Sequence, residues 1–159
     1  MNKRAIIQKI TTKLADELEL YFRAAQSARA EATHEQNKAE HKYDTRGLEA
    51  SYLARGQSRQ AAELEAAIAE FEKLEARKFA ADEPIGVGAL VELEHGGEKT
   101  FYFVGPRAGG TEVIHDRKEI LVITPQSPLG AQLVGRKSGS QPELNFGGSR
   151  QPARIVSVE

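Results

Sequence analysis

Tyr43-Asp44-Thr45-Arg46-Gly47-Leu48-Glu49-Ala50-Ser51-Tyr52 decides how the first half of this chain folds. The stretch lies midway along a charged, alanine-rich segment. Gly47 is the only glycine before Gly56, and Asp44 and Thr45 are turn formers. It reads as a reversal point, with its tip near residues 43–49, that folds one long helical pattern into two antiparallel arms. Such a tip holds Asp44 and Glu49 at the far end of a projection. Carboxylates in that position are suited to act inside a partner.

Outward from the tip, both arms carry a helical seam. From Lys3 to about His41 nothing breaks a helix, and apolar or alanine positions recur at Ile7, Ile10, Leu14, Leu18, Tyr21, Ala25, Ala28 and Ala32. Steps of three and four give the narrow stripe of a coiled coil. The second arm, from about Arg46 or Leu48 to Lys78, has Leu48, Tyr52, Ala61, Leu64, Ile68, Phe71 and Leu74 in its seam. Large residues come early in the first arm and late in the second, which suits antiparallel arms. A parallel pair of one long helix would match each position with itself and would have no use for Gly47. An arm of roughly 35 residues rising ~1.5 Å each spans ~50 Å, a length that suggests reach. Gly56 costs ~1 kcal/mol against alanine inside a helix and is expected to mark a bend or a close contact.

The composition changes near residue 80. Two glycines and no proline precede it; twelve glycines and all six prolines follow. The halves carry 14 basic and 13 acidic residues, then 8 and 10, matching the totals of 22 and 23. The first half is thus helical and laced with opposite charges, and the second has the punctuation of strands and turns. The expected domains are 1–79, a linker at 80–86, and 87–159.

In the second domain Val87–Glu94 alternates, with Val87, Ala89, Val91 and Leu93 facing inward. Thr100–Val104, Glu119–Ile123, Leu144–Phe146 and Ile155–Val158 are the further expected strands, with turns at His95–Glu98 and Gly109-Gly110. One short helix interrupts them. Ser127 is a good N-cap, Pro128 suits the first helical position, and Gly135 can end the helix. The fold class is therefore α+β: an antiparallel helical hairpin, then a small antiparallel sheet wrapped around one short helix.

The formal net charge of −1 argues against a protein held on nucleic acid by bulk charge. The absence of cysteine excludes a disulfide framework and thiolate metal sites. No apolar run approaches the ~18 residues of a membrane span, and the apolar stretch after Met1-Asn2-Lys3-Arg4 is too short for a signal peptide. A soluble, cytoplasmic monomer is the expectation.

The run Ile123-Thr124-Pro125-Gln126-Ser127-Pro128-Leu129-Gly130-Ala131-Gln132-Leu133-Val134-Gly135-Arg136-Lys137-Ser138-Gly139 is similar to the strand, Ser-Pro helix and Gly-Lys-Lys turn of the bacterial Gre family of transcript-cleavage factors. The resemblance covers both domains in order. It implies an FKBP-like C-terminal domain that docks on RNA polymerase at the rim of the secondary channel. It further implies a coiled coil whose acidic tip reaches the polymerase active centre. There the tip would help bind a second Mg²⁺, and the polymerase would cleave backtracked RNA near its 3′ end. Two-metal phosphodiester hydrolysis needs carboxylates to hold the second ion and orient water. The chain would be an accessory factor rather than an enzyme by itself.

The tip departs from the family pattern, which reads approximately Gly-Asp-Leu-Ser-Glu-Asn-Ala-Glu-Tyr with two acidic residues three apart. Aligning its tyrosine with Tyr52 puts Thr45 and Leu48 at the acidic positions. The nearest carboxylates, Asp44 and Glu49, are five apart, and Glu40 is a third acidic group nearby. Asp44 and Glu49 are the candidate catalytic and metal-binding residues. Each also has a plain reading: Asp44 as a helix cap, Glu49 as a carboxylate favoured by a helix N-terminus. Lys42, Tyr43, Arg46, Tyr52 and Arg55 are candidate partner contacts at the tip. The bland alternative for the cations is ion pairing at helical spacing. The docking residues on the second domain are not identifiable from sequence. Three rival functions stand beside cleavage stimulation: a channel binder that modulates transcription without cleavage, an FKBP-like prolyl isomerase or chaperone with a helical arm, and a plain coiled-coil interaction module.

Overall fold

The computed structural model describes residues 1–36 and 53–159, the side chains of 32–36 excepted. Among the described residues two helices come first: α1 (Lys3–Gln36) and α2 (Arg55–Glu72). Six strands and a third helix follow: β1 (Leu90–His95), β2 (Glu98–Val104), β3 (Glu112–His115), β4 (Lys118–Ile123), α3 (Pro128–Leu133), β5 (Glu143–Phe146) and β6 (Ser149–Val158). The chain divides into two compact units, Thr12–Ile68 and Met1–Thr11 with Ala69–Glu159. The start of α1 shares a unit with the end of α2, and the remainder of both helices shares the other. The two helices are therefore antiparallel.

Within the helical unit, Leu18 and Phe22 of α1 form a buried cluster with Ala61 of α2, flanked by Leu53, Leu64 and Ile68. The seam differs from the expected one at two positions. Phe22 is buried while Tyr21 is half-exposed, and Ala28 is exposed. Buried positions at 6, 10, 14, 18 and 22 advance in steps of four. Each step of four turns the stripe by about 40° on a helix with 3.6 residues per turn, away from strict coiled-coil spacing, and the step of three to the buried Ala25 turns it back. The second helix is also shorter than expected. Leu53 bends into the cluster and Ala54 is irregular, so α2 begins at Arg55. The Gln57 side chain accepts the Ala54 N–H at 3.2 Å. Gly56 is consequently the second residue of a helix, where a β-carbon would meet nothing within 4 Å. It marks a helix start, not a bend or a close contact.

α2 ends at Glu72, not near Lys78. The sequence Glu75-Ala76-Arg77-Lys78 favours helix, but burial of the next residues overrides propensity. Phe79 and Ile85 enter the main core of the other unit. Ile85 donates to Arg136 O at 2.7 Å and accepts from the Gly135 N–H at 2.9 Å, while Arg77 bridges to Glu83 at 2.6 Å. The segment after α2 is thus a bonded strap.

The sheet has the order β3-β4-β2-β1-β6-β5. All neighbours are antiparallel except β2 and β4, which run parallel, so the sheet is mixed and the wholly antiparallel expectation is corrected. The cause lies in strand polarity. Ile120, Val122 and Ile123 are buried, which suits an interior strand, while β3 alternates and leaves Ile114 68 % exposed. β4 therefore inserts beside β2 and pushes β3 to the edge. The sequence reading missed β3, whose four residues are too few for a clear alternation. Val87 is also a correction: it is exposed, because Gly88 turns the backbone at φ +91° and the strand starts at Leu90.

One sheet face packs Val91, Leu93, Val104 and Ile155 against Leu133 of α3. The start of α1 and the end of α2 contribute Ile6, Ile10 and Phe71, each 0 % exposed, with the Phe71 and Phe103 ring centroids 6.3 Å apart. Fully burying a side chain of this size stabilises by about 1.5–3 kcal/mol.

Lys3 is the unexpected member of this unit. It is only 6 % exposed; its Nζ donates to Gly88 O at 3.1 Å and lies 4.7 Å from the centre of the Phe79 ring. The Arg77 guanidinium is 4.0 Å from the same ring. Burial, helped by the Arg77 charge and opposed by Glu159 and Glu83, lowers the Lys3 pKa from 10.5 to about 8. Below pH 8 the ammonium is charged in folded and unfolded chains alike, and its desolvation cost is fully present. Between pH 8 and 10.5 the folded chain gives up the proton first, so that cost fades. Lys3→Met should therefore raise the urea midpoint relative to wild type at pH 7.5, with the gap narrowing by pH 10. A gap that widens with pH would contradict this assignment.

Candidate functional site

Of the residues singled out at the tip, the described part of the chain contains one. Arg55 is exposed and is the first residue of α2. Asp44, Glu49, Lys42, Tyr43, Arg46 and Tyr52 lie outside the described residues, as do Glu40 and Gly47. What the structure supplies is their mounting: two antiparallel helices, one continuous to Gln36 and the other starting at Arg55, with residues 37–52 between. No acidic residue stands in the first turn of α2. Arg55 and Arg59 are both exposed there, adding cationic charge to the positive end of the helix dipole. Among the described residues, no group of three or more His, Asp or Glu could hold a metal ion.

The second element of interest is the run after β4. Ser127, extended at φ −67° and ψ 154°, caps α3 by accepting the Gly130 N–H at 3.1 Å, and Pro128 opens the helix. The hydroxyl also donates to Thr124 O at 2.7 Å and accepts the Thr124 N–H at 3.2 Å. The Ser127 N–H donates to Thr124 Oγ1 at 3.2 Å. Four bonds therefore pin the corner between β4 and α3, and hold Gln126 and Pro128 exposed on a fixed backbone. Gly135, at φ +88°, follows the helix as expected. Ser127→Ala removes the cap acceptor and should cost about 1–2 kcal/mol; thermal unfolding of the variant measures it, and an unchanged midpoint would show the corner is held otherwise.

His95, expected in a turn, proves to be a strand residue. His95 ends β1, stacks on Phe146 with centroids 4.0 Å apart, and bonds through Nε2 to Gln151 Oε1. His115 ends β3 and is buried, with Asp116 Oδ2 3.3 Å from Nε2. Phe103 is buried, and Phe101 and Tyr102 are half-buried. Lys118 covers the Phe101 ring at 4.5 Å. Nearby, Glu92 accepts from Lys99 at 2.8 Å and from Ser157 at 3.3 Å, and the Lys99 bond leads in holding its carboxyl below the usual range.

The described residues thus define a two-unit α+β protein, a helical hairpin joined to a mixed six-stranded sheet with a Ser-capped helix after its fourth strand. No protein-family model and no curated protein matches the chain. Among solved structures it is similar to GreA factor homolog 1 (Gfh1) of Thermus thermophilus, at 25 % identity over 94 % of each chain with a TM-score of 0.39. It is also similar to Gfh1 of Thermus aquaticus, at 26 % identity over 92 % of each chain with a TM-score of 0.41. A third is a prokaryotic transcription elongation factor GreA/GreB from Nitrosomonas europaea. It is 20 % identical over 60 % of this chain and 77 % of that one, with a TM-score of 0.36.

Proposed function

We propose that this chain is a transcription elongation factor of the Gre type. It binds RNA polymerase, inserts the tip of its hairpin into the secondary channel, and stimulates the polymerase to cleave backtracked RNA. The observation that carries the reading is the Ile123–Gly139 run. The resemblance there asks for a strand, a Ser-Pro helix and a turn; here Ile123 ends β4, Ser127 caps α3 and Gly135 opens the turn, on a chain that begins with an antiparallel helical hairpin. The long α1, at roughly 50 Å by its rise per residue, supports reach into a cavity. Asp44 and Glu49 are the groups proposed to hold a second Mg²⁺ with the polymerase and to orient the attacking water. The cationic start of α2, with Arg55, supports contact with RNA phosphates or acidic polymerase groups.

A second reading has a specific observation in its favour. Asp44 and Glu49 are five apart, where the resembled pattern has acidic residues three apart. On that reading the chain occupies the channel and modulates transcription without cleavage. Co-sedimentation with core RNA polymerase tests what both readings share. Binding is expected, and its absence would remove both. Cleavage of backtracked transcripts then separates them.

A further inference from the structure

An open sheet has two edges, and here both are only four residues long. In an antiparallel pair, residues alternate between those bonded to the neighbour and those whose N–H and C=O point away. On the β5 side, the Ala153 N–H donates to Pro142 O at 2.9 Å. Counting by two from that bond, Leu144 and Phe146 face β6, and Glu143 and Asn145 face outward. The outward groups of Asn145 are occupied. Gln132 Oε1 accepts the Asn145 N–H at 2.7 Å, and Gln132 Nε2 donates to Asn145 O at 3.2 Å. One side-chain amide makes the two bonds that an added strand would make. A further bond from Nε2 to Pro128 O at 2.9 Å holds it against its own helix.

The other edge has a similar device. The Val122 N–H donates to Thr111 O at 2.8 Å, so Val113 faces β4 and Ile114 faces outward. Lys9 Nζ donates to Ile114 O at 2.6 Å. The Ile114 side chain is 68 % exposed. An edge strand with open backbone groups and a large exposed apolar side chain is the kind that recruits another chain.

We propose that Gln132 and Lys9 are edge guards, which occupy the outward N–H and C=O of Asn145 on β5 and the outward C=O of Ile114 on β3 and block strand addition by a second copy of this chain. A second copy offers the matching surface. Two β3 edges in antiparallel pairing would set Glu112 opposite Ile114 of the other copy and Val113 opposite its Val113.

The test uses the full chain carrying Gln132→Ala, Lys9→Ala or both, with Gln132→Glu and Lys9→Gln as partners that keep an acceptor or a donor. Gln132→Ala should speed hydrogen exchange of the Asn145 amide by roughly tenfold, and Gln132→Glu should restore most of the protection. The double alanine variant should form larger species in sedimentation velocity as concentration rises, with the far-UV circular dichroism of wild type. Lys9→Gln should sediment as wild type does. Unchanged Asn145 exchange in Gln132→Ala, a double variant that sediments as wild type at all concentrations, or Lys9→Gln associating as readily as Lys9→Ala would each overturn the proposal.

Discussion

Gly130→Ala is expected to destabilise the sheet-containing unit by at least about 3 kcal/mol. A β-carbon at Gly130 would lie 1.8 Å from Thr124 O and 2.7 Å from both Ser127 Oγ and the Thr124 carbonyl carbon. Two of these three atoms are backbone and cannot swing aside. Relief requires the corner between β4 and α3 to open, and that corner is held by the four bonds joining Thr124, Ser127 and Gly130. Opening it also draws Leu133, 0 % exposed, out of the core. For a chain of this length each kcal/mol moves the thermal midpoint by roughly 2–4 °C, so a fall of roughly 6 °C or more is predicted. Gly86→Ala is the matched control. Nothing lies within 4 Å of a β-carbon there, and a change within about 0.5 kcal/mol is expected. Equal midpoints for the two variants would refute the close-packed corner.

The second large effect belongs to the proposed function. Replacing Asp44 and Glu49 together by alanine should reduce stimulated cleavage by on the order of 100-fold or more, the scale seen when a group that stabilises charge at a reacting centre is removed. Polymerase binding should stay near the wild-type level, because docking is proposed to rest on the sheet-containing unit. Both quantities need measuring on the same preparations. Loss of binding in step with loss of cleavage would make the tip a contact surface. Cleavage that survives the double substitution would remove these carboxylates from the chemistry.

The fold was legible where one physical signal dominated. The hairpin could be read from Ile10, Leu14 and Leu18 at helical spacing, and the Ser127–Pro128 helix from local capping chemistry that needs no tertiary context. Five strands followed from apolar alternation or runs, as at Ile120–Ile123. Errors arose where distant packing overrode local preference. Phe79 and Ile85 draw the chain out of helix after Glu72 although the residues between favour helix. β3 escaped because four edge residues alternate too briefly. The parallel β2–β4 pair escaped because strand order depends on which strand is apolar on both faces, a comparison across the sheet. Lys3 had no signal at all: nothing near the start of a charged helix marks one lysine for burial.

The candidate site was legible only as chemistry. Asp44 and Glu49 could be named from residue type and place in the pattern, but their spacing differs from the resembled one. Whether two carboxylates five apart converge on one ion depends on loop shape, which residue spacing does not encode. Of the tip residues only Arg55 falls among those described, exposed as the first residue of α2.

The most direct test of the central claim is the length of RNA in stalled, backtracked elongation complexes incubated with Mg²⁺, with and without this chain. The proposed function predicts that adding the chain speeds shortening of the transcript from its 3′ end and releases short fragments. Transcripts that shorten no faster with the chain bound than without it would contradict cleavage stimulation and leave channel occupancy as the function.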